Sequence, residues 1–163
     1  MAIDASLARL WYNNAMKSLH LSRPHAIMMV GIPGSGKTTW AKNFVKKNPD
    51  YVRINRDDLR NMLIDKWDWS IEDVVKSTQA HMIKSFLEIG KNIVVDSTNL
   101  KNNSLIYQAA IDSGCDFDVE YKDFFDISIE ECIKRDSLRE KPVGKDVIES
   151  MYQDLQKLLA REK

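Results

Sequence analysis

The chain has 163 residues, with 24 basic and 24 acidic side chains and a formal net charge of +0 at neutral pH. That length sets one domain with a sizeable core as the default. The balanced charge excludes a protein whose whole surface coats nucleic acid, though not one with a local basic groove; no apolar run approaches membrane-spanning length.

Residues 3–19 read as an amphipathic helix, with Ile3, Leu7, Leu10 and Trp11 on one face and Asp4 or Ser6 as its cap. Arg23-Pro24 breaks the chain before the first strand. The expected organisation is a helical extension over 1–25, packed on the core or on another subunit, and one domain over 26–163. The N-terminus shows no basic stretch followed by an apolar run, so no export signal is expected. Cys115 and Cys132 stand in neither CxxC nor metal-ligand spacing, which reads as two free thiols of a reduced compartment.

The first strand, 26–30, runs into Gly31-Ile32-Pro33-Gly34-Ser35-Gly36-Lys37-Thr38. This is the pattern G-x-x-x-x-G-K-[ST], a loop whose backbone N–H groups cradle phosphates. Its glycines let the backbone bend and come close to a phosphate chain, and the helix that follows offers its N-terminal partial charge. The expected nucleotide-binding residues are Gly31, Pro33, Gly34, Ser35, Gly36, Lys37, Thr38 and Thr39. Lys37 would reach the outer phosphates and the Thr38 hydroxyl would ligate Mg²⁺. The helix over 38–47 buries Trp40, Ala41, Phe44 and Val45.

The second strand is 51–55, and Arg56-Asp57-Asp58-Leu59-Arg60 opens a short helix to 64. A loop holds Trp67 and Trp69, for which packing is favoured over stacking on bases. Ser70 is the expected cap of a helix to about 89 with Ile71, Val74, Val75, Thr78, Met82, Phe86 and Leu87 inward, stopped at Gly90. His81 on it has no second ligand at metal spacing. The third strand, 92–96, ends in Asp96 and continues as Ser97-Thr98-Asn99. A helix over 103–112 follows, then a strand over 117–123 with Phe117, Val119 and Tyr121 alternating against acids and a lysine as an inward face. Ser128-x-x-Glu131 is a capping box for a helix to about 138 that carries Lys134, Arg135 and Arg139 toward its end. After 141–144 a last helix buries Val147, Ile148, Met151, Tyr152, Leu155, Leu158 and Leu159.

Strands alternate with helices throughout, which predicts an α/β fold with a four-stranded parallel sheet. Ligands in such sheets sit beyond the carboxyl ends of the strands, where Lys37, Asp57 and Asp96 all fall. Phosphoryl transfer needs charge neutralisation, a base and a clamp on the moving group. Asp57 is the chosen base, with N-cap as its bland alternative; Asp58 suits capping better. Arg60 shares the face of Asp57 and its fork suits phosphate oxygens. Asp96 could hold a Mg²⁺ water, orient Arg60 or Thr98, or serve as a structural acid. Arg135 and Arg139, four apart on one helix face, read either as a clamp on the γ-phosphate or as a solvated face.

Taken together, these blocks resemble the kinase domain of phage polynucleotide 5′-hydroxyl kinases. The match runs through 31–40, Arg56-Asp57-Asp58-x-Arg60, Asp96-Ser97-Thr98-Asn99-Leu100 and Lys134-Arg135-x-x-x-Arg139. The resemblance implies a P-loop kinase fold and transfer of the ATP γ-phosphate to a 5′-OH end of DNA or RNA. It implies Asp57 as general base, Arg60 on the transferring phosphate, Asp96 and Thr98 in support, Arg135 and Arg139 in a lid over ATP, and Val143 and Val147 near the adenine. It also implies ATP and Mg²⁺ as cofactors and a cytoplasmic setting, in a host cell if phage-encoded. The Asp-x-Asp-Gly-Thr motif of a phosphatase module is absent, so no phosphatase activity is expected. A P-loop kinase for a small hydroxyl compound (a sugar, nucleoside or antibiotic) is the alternative. A nucleotide-binding switch is a third reading, weakened in its GTPase form by the absence of Asn-Lys-x-Asp. The oligomeric state has no signature in the sequence.

Overall fold

The computed structural model describes residues 23–66, 68–100 and 104–161. The expected N-terminal helix and Trp67 lie outside the described residues. In chain order the elements are β1 (His25–Val30), α1 (Lys37–Lys47), β2 (Tyr51–Asn55), α2 (Arg56–Leu63), a 3-10 turn (Trp69–Ile71), α3 (Glu72–Glu88), β3 (Asn92–Asp96), α4 (Ser104–Asp112), β4 (Asp118–Asp123), α5 (Ile129–Ser137) and α6 (Lys145–Arg161). The four strands form one sheet in the order β2-β3-β1-β4, and every pairing is parallel. The expected four-stranded parallel sheet flanked by helices is the fold.

The strands β1 and β3 are continuous apolar runs because both of their faces are covered. Ala26 and Met28 point to one side, with Ile93 and Val95, against Ile83 and Leu87 of α3 and Ile106 and Ala109 of α4. Ile27 and Met29 point to the other, with Val94, against Ala41, Trp40 and Phe44 of α1. A third cluster joins Val30 and Ile32 to Cys132 of α5 and to Ile148 and Leu155 of α6. It seats the last two helices beside the loop that leaves β1.

Four local expectations are corrected. The turn before α3 is capped by Asp68, which accepts the N–H of Ser70 at 2.8 Å; Ser70 itself lies inside the turn, and α3 starts two residues later. The buried stripe of α3 is Val75, Gln79, Ile83 and Leu87, spaced by four, while Val74 is 57% exposed. The polar Gln79 hides that stripe from a hydrophobicity count. On the edge strand β4, Val119 and Tyr121 are also exposed, because β4 has a sheet neighbour on one side only. Val147 is exposed as well, in contrast to Ile148 beside it.

Candidate active site

The loops after β1, β2 and β3 meet at the carboxyl edge of the sheet. Gly34 and Gly36 have φ of +84° and +96°, in the left-handed region that glycine enters without strain. A Cβ on Gly34 would lie 2.8 Å from Cys132 Cα, so the loop rests directly on the backbone of α5. Gly36 caps α1 and brings no side chain to its first N–H groups, which leaves them to an anion such as a phosphate. Lys37 is only 7% exposed and folds back along the loop, donating to the Ile32 carbonyl at 2.6 Å and to Ser35 Oγ at 3.3 Å. Burial lowers its pKa to about 8, against an opposite pull from Asp96.

Asp96, at the end of β3, is only 2% exposed. Its Oδ1 accepts from Thr38 Oγ1 at 3.3 Å and its Oδ2 from Arg53 Nε at 2.8 Å. Arg53 Nη2 lies 2.6 Å from the same oxygen as an ion pair outside hydrogen-bonding direction, and its Nη1 pairs with Asp58. The charged partner of Asp96 is therefore Arg53, a residue not among the open readings of Asp96 as a Mg²⁺-water holder, a guide for Arg60 or Thr98, or a structural acid. Asn55 joins two of the loops: its side chain accepts the Asp58 N–H at 2.8 Å and donates to the Asp96 carbonyl at 2.7 Å. Asn55 is thus the cap of α2, and neither Asp57 nor Asp58 fills that place. Gly31 N–H donates to the Thr98 carbonyl at 3.1 Å, tying the third loop to the first.

Asp57 stands on the first turn of α2 with its carboxylate exposed and Oδ1 2.6 Å from Arg60 Nη1. Arg60 is buried, and Glu72 at the start of α3 takes its Nε at 3.1 Å and Nη2 at 2.9 Å. Arg135 and Arg139 were expected on one helix face, but α5 ends at Ser137 and Arg139 lies beyond it. Its N–H closes a turn on the Asp136 carbonyl at 3.0 Å.

A cavity of about 430 Å³ gathers Pro33, Gly34, Gly36, Lys37, Thr38, Thr39, Asp57, Asp96, Thr98, Arg135, Arg139 and Val143. The expected Gly31, Ser35 and Arg60 do not line it. Val147 parts from Val143: it lines a second cavity of about 480 Å³ with Arg56, Leu100 and Met151. Thr98 lines both cavities. Sequence reasoning missed Arg53, Glu72 and Asp136. The only signal for the first was a charged residue inside a buried strand, and for the other two there was none. Among the described residues no group of His, Cys, Asp or Glu could hold a metal by itself, and no helix is long and apolar enough to cross a membrane.

A phosphate-binding loop, a buried lysine, a paired threonine and aspartate, and arginines at one cavity define a P-loop kinase. The chain belongs to the AAA domain family, whose model matches residues 27–160. It is 28% identical over 131 residues to the L-seryl-tRNA(Sec) kinase of Methanococcus maripaludis, covering 78% of this chain and 51% of that protein. It is 25% identical over 155 residues to a protein of Autographa californica nuclear polyhedrosis virus named as a bifunctional polynucleotide kinase/RNA ligase, covering 84% and 22%. Among solved structures, a chain of the Pnkp1/Rnl/Hen1 RNA repair complex superposes with a TM-score of 0.69 at 26% identity, covering 89% of this chain and 48% of that one. The chain thus spans about half or less of the length of these relatives.

Proposed function

We propose that this chain transfers the γ-phosphate of ATP to the 5′-hydroxyl end of DNA or RNA. The observation that carries the reading is the meeting of two cavities at Thr98, one lined by the P-loop and Asp57, the other by Arg56 and apolar side chains. The first suits a triphosphate. The second suits the terminal nucleoside of an acceptor, with Leu100, Val147 and Met151 against a base and Arg56 toward the next phosphate. The relatives support it: one is named as a polynucleotide kinase and another belongs to an RNA repair complex. The kinase domain is proposed to run over 26–163, with 1–25 as its extension.

The residues divide the work. Lys37, Arg135 and Arg139 offset charge on the transferring group. Asp57 accepts the proton of the acceptor hydroxyl as its oxygen attacks the γ-phosphorus; the bond to the β–γ bridging oxygen breaks and leaves ADP. Arg60, held by Glu72 on Nε and Nη2, orients Asp57 through Nη1. Thr38 and Asp96 fit Mg²⁺: both offer hard oxygen, and Arg53 takes only one oxygen of Asp96. Bound there, the ion would neutralise phosphate charge.

The test is transfer from γ-labelled ATP with Mg²⁺ to a 5′-OH oligodeoxynucleotide, the matching RNA, their 5′-phosphorylated forms, and a pool of sugars and nucleosides. Label on the 5′-OH strands alone is the expected result. Label in the small-molecule pool and on neither strand overturns it in favour of a small-molecule kinase.

A further inference from the structure

We propose that Asp136 is a positioning residue that sets Arg139 over the phosphate cavity. The inference rests on the reading that Arg139 serves phosphoryl transfer. Arg139 is past the end of α5, so the helix does not fix its direction. Asp136 is placed to do so. It sits between two half-exposed arginines, yet its own side chain is 2% exposed. A carboxylate is kept out of water only where partners compensate for lost hydration.

The partners are specific. Oδ2 accepts the backbone N–H groups of Val143 and Gly144, both at 2.9 Å. Gly144 has φ of +99° and its carbonyl accepts the Ile148 N–H at 3.2 Å, so these bonds fasten the start of α6 to the end of α5. Oδ1 accepts no hydrogen bond among the described residues and lies 3.5 Å from Arg139 Nη1. One oxygen thus shapes the turn and the other faces the guanidinium. The opposite end of α5 is held by the close approach of Cys132 to Gly34. With α5 pinned to the phosphate loop and the turn pinned to Asp136, Arg139 has one charged anchor behind it and the cavity before it.

Asp136→Asn separates the two jobs. Its amide oxygen still accepts from Val143 and Gly144, while an NH₂ replaces the negative oxygen facing Arg139. The expected result is a fall in kcat of about tenfold with KM for ATP within about twofold, the pattern of an interaction used in the transition state. The cycle is closed with Arg139→Ala: the double variant should be no slower than Arg139→Ala alone, because Asp136 acts through Arg139. Gly144→Ala is a milder probe whose added Cβ meets nothing within 4 Å, should the buried asparagine fold poorly. Its strained turn should likewise slow the wild type and not the Arg139→Ala protein. Unchanged kcat in Asp136→Asn, or effects that multiply in the double variants, overturns the proposal and leaves the kinase reading intact. Wild-type turnover by Arg139→Ala removes Arg139 from the reaction and the proposal with it.

Discussion

Glu72 holds Arg60 by two nitrogens, Nε at 3.1 Å and Nη2 at 2.9 Å, and leaves Nη1 on Asp57 at 2.6 Å. An acid at the start of α3 therefore fixes an arginine in α2, and through it a carboxylate on the cavity wall. Glu72→Gln keeps the shape and removes the charge. With Arg60 still paired to Asp57, the expected loss of stability is about 2 kcal/mol, below that of a fully broken buried pair. Turnover should fall by about tenfold as Arg60 loosens. Urea unfolding and kcat, measured together, check both; wild-type values in each would separate Glu72 from the site.

Asp57→Asn removes the proposed proton acceptor and the charge facing Arg60 Nη1, while the side chain itself is largely exposed. ATP binding should persist while transfer falls by on the order of a hundredfold or more. Equilibrium binding of a non-hydrolysable ATP analogue and single-turnover transfer measure the two halves. Near-normal transfer would mean another base.

Gly34→Ala should be severe although it adds one methyl group. The φ of +84° disfavours any side chain, and the new Cβ would press on the backbone of Cys132. Because α5 must retreat, Arg135 and Arg139 retreat too. ATP affinity is expected to drop by about tenfold or more, on the order of 1.4 kcal/mol, read by calorimetry. Unchanged affinity would show that the loop and α5 are not mechanically joined.

Lys37 carries a pH signature. Burial lowers its pKa to about 8 from the ordinary 10.5. Between those values the unfolded chain holds more protons than the folded one, so the contribution of Lys37 to stability rises as pH climbs through that window. Lys37→Met has no proton there to lose. The difference in unfolding free energy between the two proteins should shift in favour of the wild type from pH 8 to pH 10. A constant difference would mean that the ammonium is not desolvated.

Much of this was legible in the sequence for one reason: the signals were local. The loop motif, the apolar runs of β1 and β3 and the acids at strand ends each need only neighbours in the chain. The misses share the opposite cause. Arg53 looks like an ordinary alternating residue of Tyr-Val-Arg-Ile-Asn, and only the β2–β3 pairing brings it to Asp96, 43 positions away. Glu72 looks like a first-turn acid satisfied by its own helix, yet it serves Arg60 twelve positions back. Asp136 looks like one half of a surface pair because its burial depends on a turn that folds over it later in the chain. Charge was easy to count; which charges meet was set by topology.

Asn55 has a consequence for anyone who wishes to graft a new acceptor specificity onto this scaffold. Its side chain accepts from Asp58 and donates to the Asp96 carbonyl, so a single amide rivets the start of α2 to the end of β3. Replacing α2 from Arg56 onward keeps that rivet, while a cut one residue earlier uncouples the two halves of the machine. The natural seam for an exchange of parts falls between Asn55 and Arg56.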